Sequence, residues 1–392
     1  MLKKKCTGLN GENRDYFLYP QAIPPQEPSD YIQEVLFDAY RYHSGEGDMW
    51  PITWGADDCL YCGAGDNKGC TMNLWRVQTL RFAPAALTNT GQWSIDMINP
   101  QPVPLSLFEG NHEVSGVKPA GLLDIDGVLY LSVEVQNYGD NPFFGRQHNL
   151  SGWIVRSEDG GKTFDHTVTP TDFFSGRLAS CHFLQFGQGY ANARDGYVYA
   201  FFPCDLEDGQ SYWENNDALL LGRVPKTQIL NRAAWEFYSS DTPSSPSWSS
   251  RESDAKPVFR YYKMTGANHV VYNPGIGRYL MGNYSFIDRE LHPRPIHQMG
   301  YPESSISQLT LYEAPEPWGP WKLFYRDDDW GTYGDYQPNF PTKWMAADGR
   351  LLYMVSSGSW DDYNFVVQKM ALKLKGEADF PPESRLFRYR RT

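Results

Sequence analysis

The sequence predicts an all-β fold, a single five-bladed β-propeller closed by a strand from its own N-terminal region. Three observations carry this expectation. A hairpin pattern recurs five times: an apolar strand, a turn rich in Asp, Gly or Asn, and a second apolar strand containing Tyr. One more strand, Ile32–Tyr40, stands ahead of the first hairpin without a local partner, while the last repeat lacks a fourth strand. The composition suits sheets joined by tight turns, with 35 Gly and 28 Pro in 392 residues and 15% aromatic residues, whose flat rings pack well on pleated surfaces.

The hairpins fall in order along the chain. The first is Trp50–Tyr61 and the second Lys118–Tyr130. The third opens at His182–Phe186 and resumes at Asp195–Tyr199. The fourth is His269–Tyr279 and the fifth Phe340–Tyr353. Their starts lie 64 to 87 residues apart, room for four strands each, and radial repetition of such sheets leaves only short, protected edges. Outer strands are read at Gly152–Ser157 in the second blade, Asp217–Val224 and Ala234–Tyr238 in the third, Ser307–Tyr312 and Trp318–Phe324 in the fourth, and Phe365–Lys373 in the fifth. Ser157–Phe164 resembles the Asp-box hairpin of sialidase-type propellers, whose Asp caps a turn, and it is given a structural role only. The chain turns polar after the fifth blade, so residues 32–40 are expected to complete that blade and close the ring. This divides the chain into an N-terminal arm (1–31), the propeller (32–375) and a C-terminal tail (376–392). Lys226–Ala233 reads as a short helical turn, Ser239–Ser253 as a loop, and Arg194-Asp195 as an ion pair within a turn.

Composition excludes several functions. With 41% hydrophobic and 21% charged residues a large core is available. A net charge of −12 without a basic stripe argues against nucleic acid and anionic membrane surfaces as partners. No apolar run reaches the roughly 18 residues of a transmembrane helix. The basic start Met1–Cys6 has no apolar stretch behind it, so it is not a signal peptide, which leaves a cytoplasmic protein or a secreted one with its leader removed. The six cysteines (Cys6, Cys59, Cys62, Cys70, Cys181, Cys204) read as buried free thiols, because Cys59-x-x-Cys62 lacks a second ligand pair. No cofactor motif is present: neither a P-loop, a dinucleotide fingerprint, a GxSxG elbow nor HExxH occurs. A structural Ca2+ at Asp327-Asp328-Asp329 is left open, with a solvated turn the favoured reading.

In a propeller the polar residues at the mouths of the inner strands face a shared cup. The first blade offers Asp48, ahead of its first strand, and Asp66, after its second; a hairpin brings its two ends together. Two opposed carboxylates in an aromatic-lined cup are what glycoside hydrolysis needs, one to protonate the leaving oxygen and the other to attack the sugar or activate water. Capping of the flanking loops is the competing reading. Further rim positions are Trp50, Lys118, Glu134 with Gln136, His182, Asp205, Asn268, His269, Asn283, Tyr284 and Asn339. Each alone reads as structural. Together they supply the hydrogen bonds that sugar hydroxyls require. The expected partner is therefore an oligo- or polysaccharide. A non-catalytic carbohydrate-binding propeller stays open, as does a polysaccharide lyase using His182, His269 and Lys118.

The run Gly47–Trp54, with Leu60-Tyr61 and Gly65-Asp66, resembles the opening motif of a bacterial family once listed as a domain of unknown function that includes endo-D-arabinanases (glycoside hydrolase family 183). Supporting stretches are Gly189–Tyr199, Leu221–Lys226, Ala234–Tyr238, Asn273–Tyr279 and Ala314–Trp321. The resemblance implies a five-bladed propeller, a retaining glycosidase acting on a furanose-containing glycan such as D-arabinan, and a catalytic pair carried onto Asp48 and Asp66. Which aspartate is the nucleophile stays unassigned. The N-terminal arm and the cysteines at 59–70 depart from the family pattern.

Overall fold

The computed structural model describes residues 3–7, 13–17, 19–67, 70–79, 93–138, 146–296, 306–331, 335–358 and 363–387. Five sheets follow one another along the chain. Blade 1 is Asp48–Trp54, Leu60–Asn67, Cys70–Thr79 and Trp93–Asn99 from the axis outward. Blade 2 is Gly116–Ile125, Val128–Tyr138, Gln147–Ser157 and the short Phe174–Ser175. Blade 3 runs from His182–Phe183 through Tyr197–Cys204 and Asn216–Pro225 to Glu236–Tyr238 and Trp248–Ser249. Blade 4 is His269–Asn273, Arg278–Ile287, Ile306–Ala314 and Lys322–Asp327. The protein is the five-bladed β-propeller that the hairpin spacing predicts.

Closure also follows the sequence. In blade 5, Leu351–Ser356 pairs with Phe365–Leu374, and Phe365–Leu374 pairs with Ile32–Ser44 from the other end of the chain, from Phe365 opposite Ser44 to Leu374 opposite Ile32 with register shifts after Gln368 and Lys373. The innermost position is taken by residues 339–345, tied on by the bridges Asn339↔Val355 and Met345↔Leu352. Each blade lies between two others, so a strand such as Tyr197–Cys204 of the third inner hairpin is buried on both faces and reads as an unbroken apolar run from Val198 to Phe202. The seam between blades 5 and 1 is filled by Trp50, Ile52 and Leu60 against Trp344, Val355 and Phe365.

Several local expectations are refined. Asp159 caps the Asp-box turn, accepting from the Thr163 amide at 2.9 Å, the Thr163 hydroxyl at 2.7 Å and the Ser157 hydroxyl at 2.8 Å. Arg194 and Asp195 do not pair with each other. Arg194 crosses to Glu316 of blade 4 at 3.0 Å, and Asp195 accepts from the Tyr199 hydroxyl at 2.7 Å. In the acidic tract, Asp328 accepts from Arg326 and Gln308, and Asp327 accepts the Asp329 amide. The turn at Lys226–Ala233 is two 3-10 turns, and the loop after Ser239 carries the two-residue strand Trp248–Ser249. Residues 19–31 are anchored on blade 4: Ala22 is buried, Ser29 donates to Glu313 at 2.7 Å, and the Leu323 amide donates to Glu27. In the tail, Phe387 packs on Leu351 and Ala371. Cys59, Cys62, Cys181 and Cys204 are buried free thiols, whereas the side chains of Cys6 and Cys70 lie outside the described residues. Among the described residues no helix is long and apolar enough to cross a membrane.

Candidate active site

Asp48 and Asp66 line one small cavity at the axis, together with Met49, Lys118, Gln136, Gln147, Trp213, Tyr336 and Tyr363. The backbone of blade 1 is bent to achieve this. Asp48 pairs opposite Gly65, so regular alternation would turn Asp66 to the other face of the sheet. Asp66 has φ 40, a left-handed conformation that breaks the alternation. Met49 (φ 74) and Trp50 (φ 44) are left-handed too, and the register slips between Met49 and Ile52. Three non-glycine residues with positive φ around two carboxylates concentrate local strain where the cavity lies. Gly65 is needed for close approach, because a Cβ there would lie 2.5 Å from Asp48 Oδ1 and 3.0 Å from Lys118 Cδ.

The two carboxyls differ in environment. Asp48 is 4% exposed, and its Oδ1 has no hydrogen-bond partner among the described residues. Its Oδ2 accepts from the Tyr336 hydroxyl at 3.2 Å. Burial pushes its pKa up to about 6; the Lys118 ammonium opposes the rise, the Asp66 charge adds to it, and the Tyr336 hydrogen bond opposes it. Asp66 is more open, its side chain 39% exposed, and it forms an ion pair with Lys118. Burial works against the charge of Lys118, but Asp48 and Asp66 outweigh it and hold the ammonium pKa above its usual value. Glu134 sits opposite Lys118 in the blade 2 register. Burial pushes Glu134 up to about 7 against hydrogen bonds from Ser180 and Gln136.

Below this cavity the shaft is polar. His182 of blade 3 and His269 of blade 4 meet edge to face at 5.4 Å. His182 Nε2 lies 2.7 Å from Ser180 Oγ, and His269 Nε2 lies 3.1 Å from Gln337 Oε1. Burial holds His182 well below the usual imidazole range, with the neighbouring His269 adding to this, and lowers His269 to about 4. Gln337 also donates to the Tyr284 hydroxyl at 3.2 Å, which donates to the Trp213 carbonyl. All five blades thus contribute to one column of side chains.

Other rim candidates lie in the walls. Trp50 is fully buried against Trp75 and Phe365. Asn339 donates to the Trp50 carbonyl, and Asn268 donates to Asn283. Asp205 is not brought to the cavity: it accepts from Arg146 at 2.8 Å and from Lys263, which also lies 3.4 Å from Asp217 and 3.3 Å from Glu207. The oxygens of Asp205, Glu207 and Asp217 are close enough to hold a cation, but the Lys263 ammonium already stands among them. The sequence reading passed over Tyr336, Gln337, Met49, Gln147, Trp213 and Tyr363. A polar run ahead of an inner strand was the available signal, since Asp335–Asn339 precedes the fifth hairpin as Asp48 precedes the first.

The solved structures similar in fold include a putative hydrolase from Bacteroides ovatus, at 10% identity and TM-score 0.49 over 84% of this chain and 87% of that one. The GH43_1 enzyme from Xanthomonas citri has 10% identity and TM-score 0.47 over 88% and 94% of the two chains. The α-L-arabinofuranosidase of Podospora anserina has 11% identity and TM-score 0.44 over 90% and 95%. Likeness this distant says nothing of this chain's chemistry. No curated protein matches the sequence. A family model described as "Domain of unknown function (DUF4185)" matches residues 75–369, which takes in most of the propeller from the third strand of blade 1 to the last inner hairpin. The chain therefore belongs to the DUF4185 family.

Proposed function

We propose that this protein is a retaining glycoside hydrolase in which Asp48 is the acid/base and Asp66 the nucleophile. The observation that carries the reading is the contrast between the two carboxyls of one cavity. Asp48 is buried, with a pKa pushed up to about 6 and an unpartnered Oδ1, which suits a proton donor. Asp66 is partly exposed and ion-paired, which suits a carboxylate that attacks. In the first step the Asp48 proton passes to the glycosidic oxygen while an Asp66 oxygen bonds to the anomeric carbon and the leaving sugar departs. In the second, water gives a proton to Asp48 and its oxygen displaces Asp66 from the anomeric carbon. Trp213 and Tyr363 line the cavity, where a sugar ring can pack against them.

The substrate we propose is a neutral, furanose-containing polysaccharide such as D-arabinan. The resemblance of Gly47–Trp54 and Gly65-Asp66 to the family of endo-D-arabinanases supports the sugar. The charge of the site supports its neutrality: among the described residues lining the cavity Lys118 is the one cation, and Asp66 engages it, which leaves it poorly placed to receive a uronate. The same point weighs against a lyase. The test is a panel of polysaccharides assayed for new reducing ends and for unsaturated lyase products, with Asp48→Asn and Asp66→Asn in parallel. Hydrolysis lost by at least ~10²-fold in each folded variant is expected. Turnover near that of the wild type in either variant would remove that residue from the mechanism.

A further inference from the structure

The strand that closes the ring reaches the candidate site through one ion pair. Arg41 lies on Ile32–Ser44 and pairs with Asp335, whose side chain is fully buried. Asp335 opens the segment 335–339, which threads between blades 4 and 5 to the axis. The segment is held at its start: the Asp335 amide donates to the Trp330 carbonyl at 3.1 Å, and the Ser307 hydroxyl donates to the Asp335 carbonyl at 2.6 Å. Gly331 leaves room for the carboxylate, since a Cβ there would fall 2.0 Å from Asp335 Oδ1. The next residues are then delivered in turn: Tyr336 to Asp48, Gln337 (φ 57) to His269 and Tyr284, and Asn339 to the Trp50 carbonyl.

We propose that Arg41 is a positioning residue for Asp48: by fixing Asp335, the closing strand holds the Tyr336 hydroxyl against the Asp48 carboxyl. The proposal rests on the reading of Asp48 as the proton donor only for its effect on catalysis; the positioning itself does not depend on it. Arg41 touches neither Asp48 nor the cavity, so its influence is indirect. The groups that face Asp48 are Asp66 from its own blade, Lys118 and Glu134 from blade 2, Tyr284 from blade 4, and Tyr336 with Tyr363 from blade 5. Of these only Tyr336 is attached to the residue that Arg41 grips. A buried carboxyl that loses a hydrogen-bond donor favours its protonated form, so loosening Tyr336 raises the titration midpoint of Asp48.

The experiment is a 13C-carboxyl titration of the full chain labelled at Asp, with the Asp48 signal assigned by its loss in Asp48→Asn. It needs no substrate, so it tests the positioning even if the protein proves not to be a hydrolase. Arg41→Gln and Asp335→Asn are each expected to raise the Asp48 midpoint by up to about 1 unit, the size of one hydrogen bond to a carboxylate, while Arg41→Lys restores most of it. Glu34→Gln serves as the control, because it removes the Glu34–Lys373 contact of the same strand and leaves Arg41 untouched. An unchanged midpoint in folded Arg41→Gln would overturn the proposal. So would an equal shift in Glu34→Gln, since the effect would then belong to the strand as a whole.

Discussion

Tyr336 and Asp48 stand 288 residues apart in the chain and meet through one hydrogen bond of 3.2 Å, from the phenol to Oδ2, at the joint between the last blade and the first. That bond stabilises the charged form of Asp48 and so limits how far burial raises its pKa, to about 6. If Asp48 is the proton donor, activity should fall as pH rises through about 6. Tyr336→Phe should carry that limb upward by about 1 unit, read from kcat/KM against pH.

The same carboxyl links stability to pH. Its pKa is raised from 3.8 in the unfolded chain to about 6 in the folded one, so the folded state binds the extra proton between these values. The contribution is fully present below about pH 4 and is lost as pH rises through 6. Asp48→Asn, which stays neutral, should therefore gain on the wild type as pH rises. The gain should reach about 3 kcal/mol at most near pH 8, and thermal melts at pH 4 and pH 8 will measure it.

Gly65→Ala should damage the site more than the fold. The added methyl would meet Asp48 Oδ1 at 2.5 Å and Lys118 Cδ at 3.0 Å, and the Asp48 side chain must move to admit it. Overpacking of this kind costs about 1–3 kcal/mol, whereas, if Asp48 is the proton donor, displacing it by about 1 Å costs on the order of 10²-fold in rate. Parallel measurement of Tm and kcat separates the two.

The ammonium of Lys263 among Asp205, Asp217 and Glu207 should make added Ca2+ and chelators equally without effect on the wild-type Tm. Lys263→Met removes the cation between Asp205 and Asp217 and leaves Arg146 alone to balance the two buried carboxylates. A loss of about 3 kcal/mol is expected, discounted for the exposure of Glu207, and millimolar Ca2+ should recover part of it. A Ca2+-induced rise in Tm in the wild type would show that the ammonium does not fill the site.

The sequence carried the blades because the same hairpin recurs five times at near-even spacing, and the closing strand because Ile32–Tyr40 had no local partner while the fifth repeat lacked a strand. It carried Asp48, Asp66 and Lys118 because strand mouths converge on the axis of any propeller. It could not separate Trp50 or Asn339 from the cavity, since a left-handed φ at Met49 and Trp50 leaves no mark in residue type and turns Trp50 into the seam. Asp205 failed for another reason: its partners Arg146 and Lys263 lie 59 and 58 residues away, and long-range ion pairing is invisible to spacing. Tyr336 shows no strand periodicity of its own, and only the polar run around it, ahead of the fifth inner hairpin, marks its place.

The pairing of residues 32–44 with 365–374 also fixes an order of events during synthesis. An emerging chain can stack its first blades as they appear, but its N-terminal strand waits, unpaired, for a partner more than three hundred residues downstream. Non-local pairing of this kind is slow and leaves a sheet edge open to other chains until it is complete. The hydrogen bond to Asp48 comes from residue 336, so the cavity too is unfinished until the last blade has been made. A nascent or C-terminally truncated chain would hold both aspartates without the cavity around them, and if they are the catalytic pair, chemistry would begin only once the ring has shut.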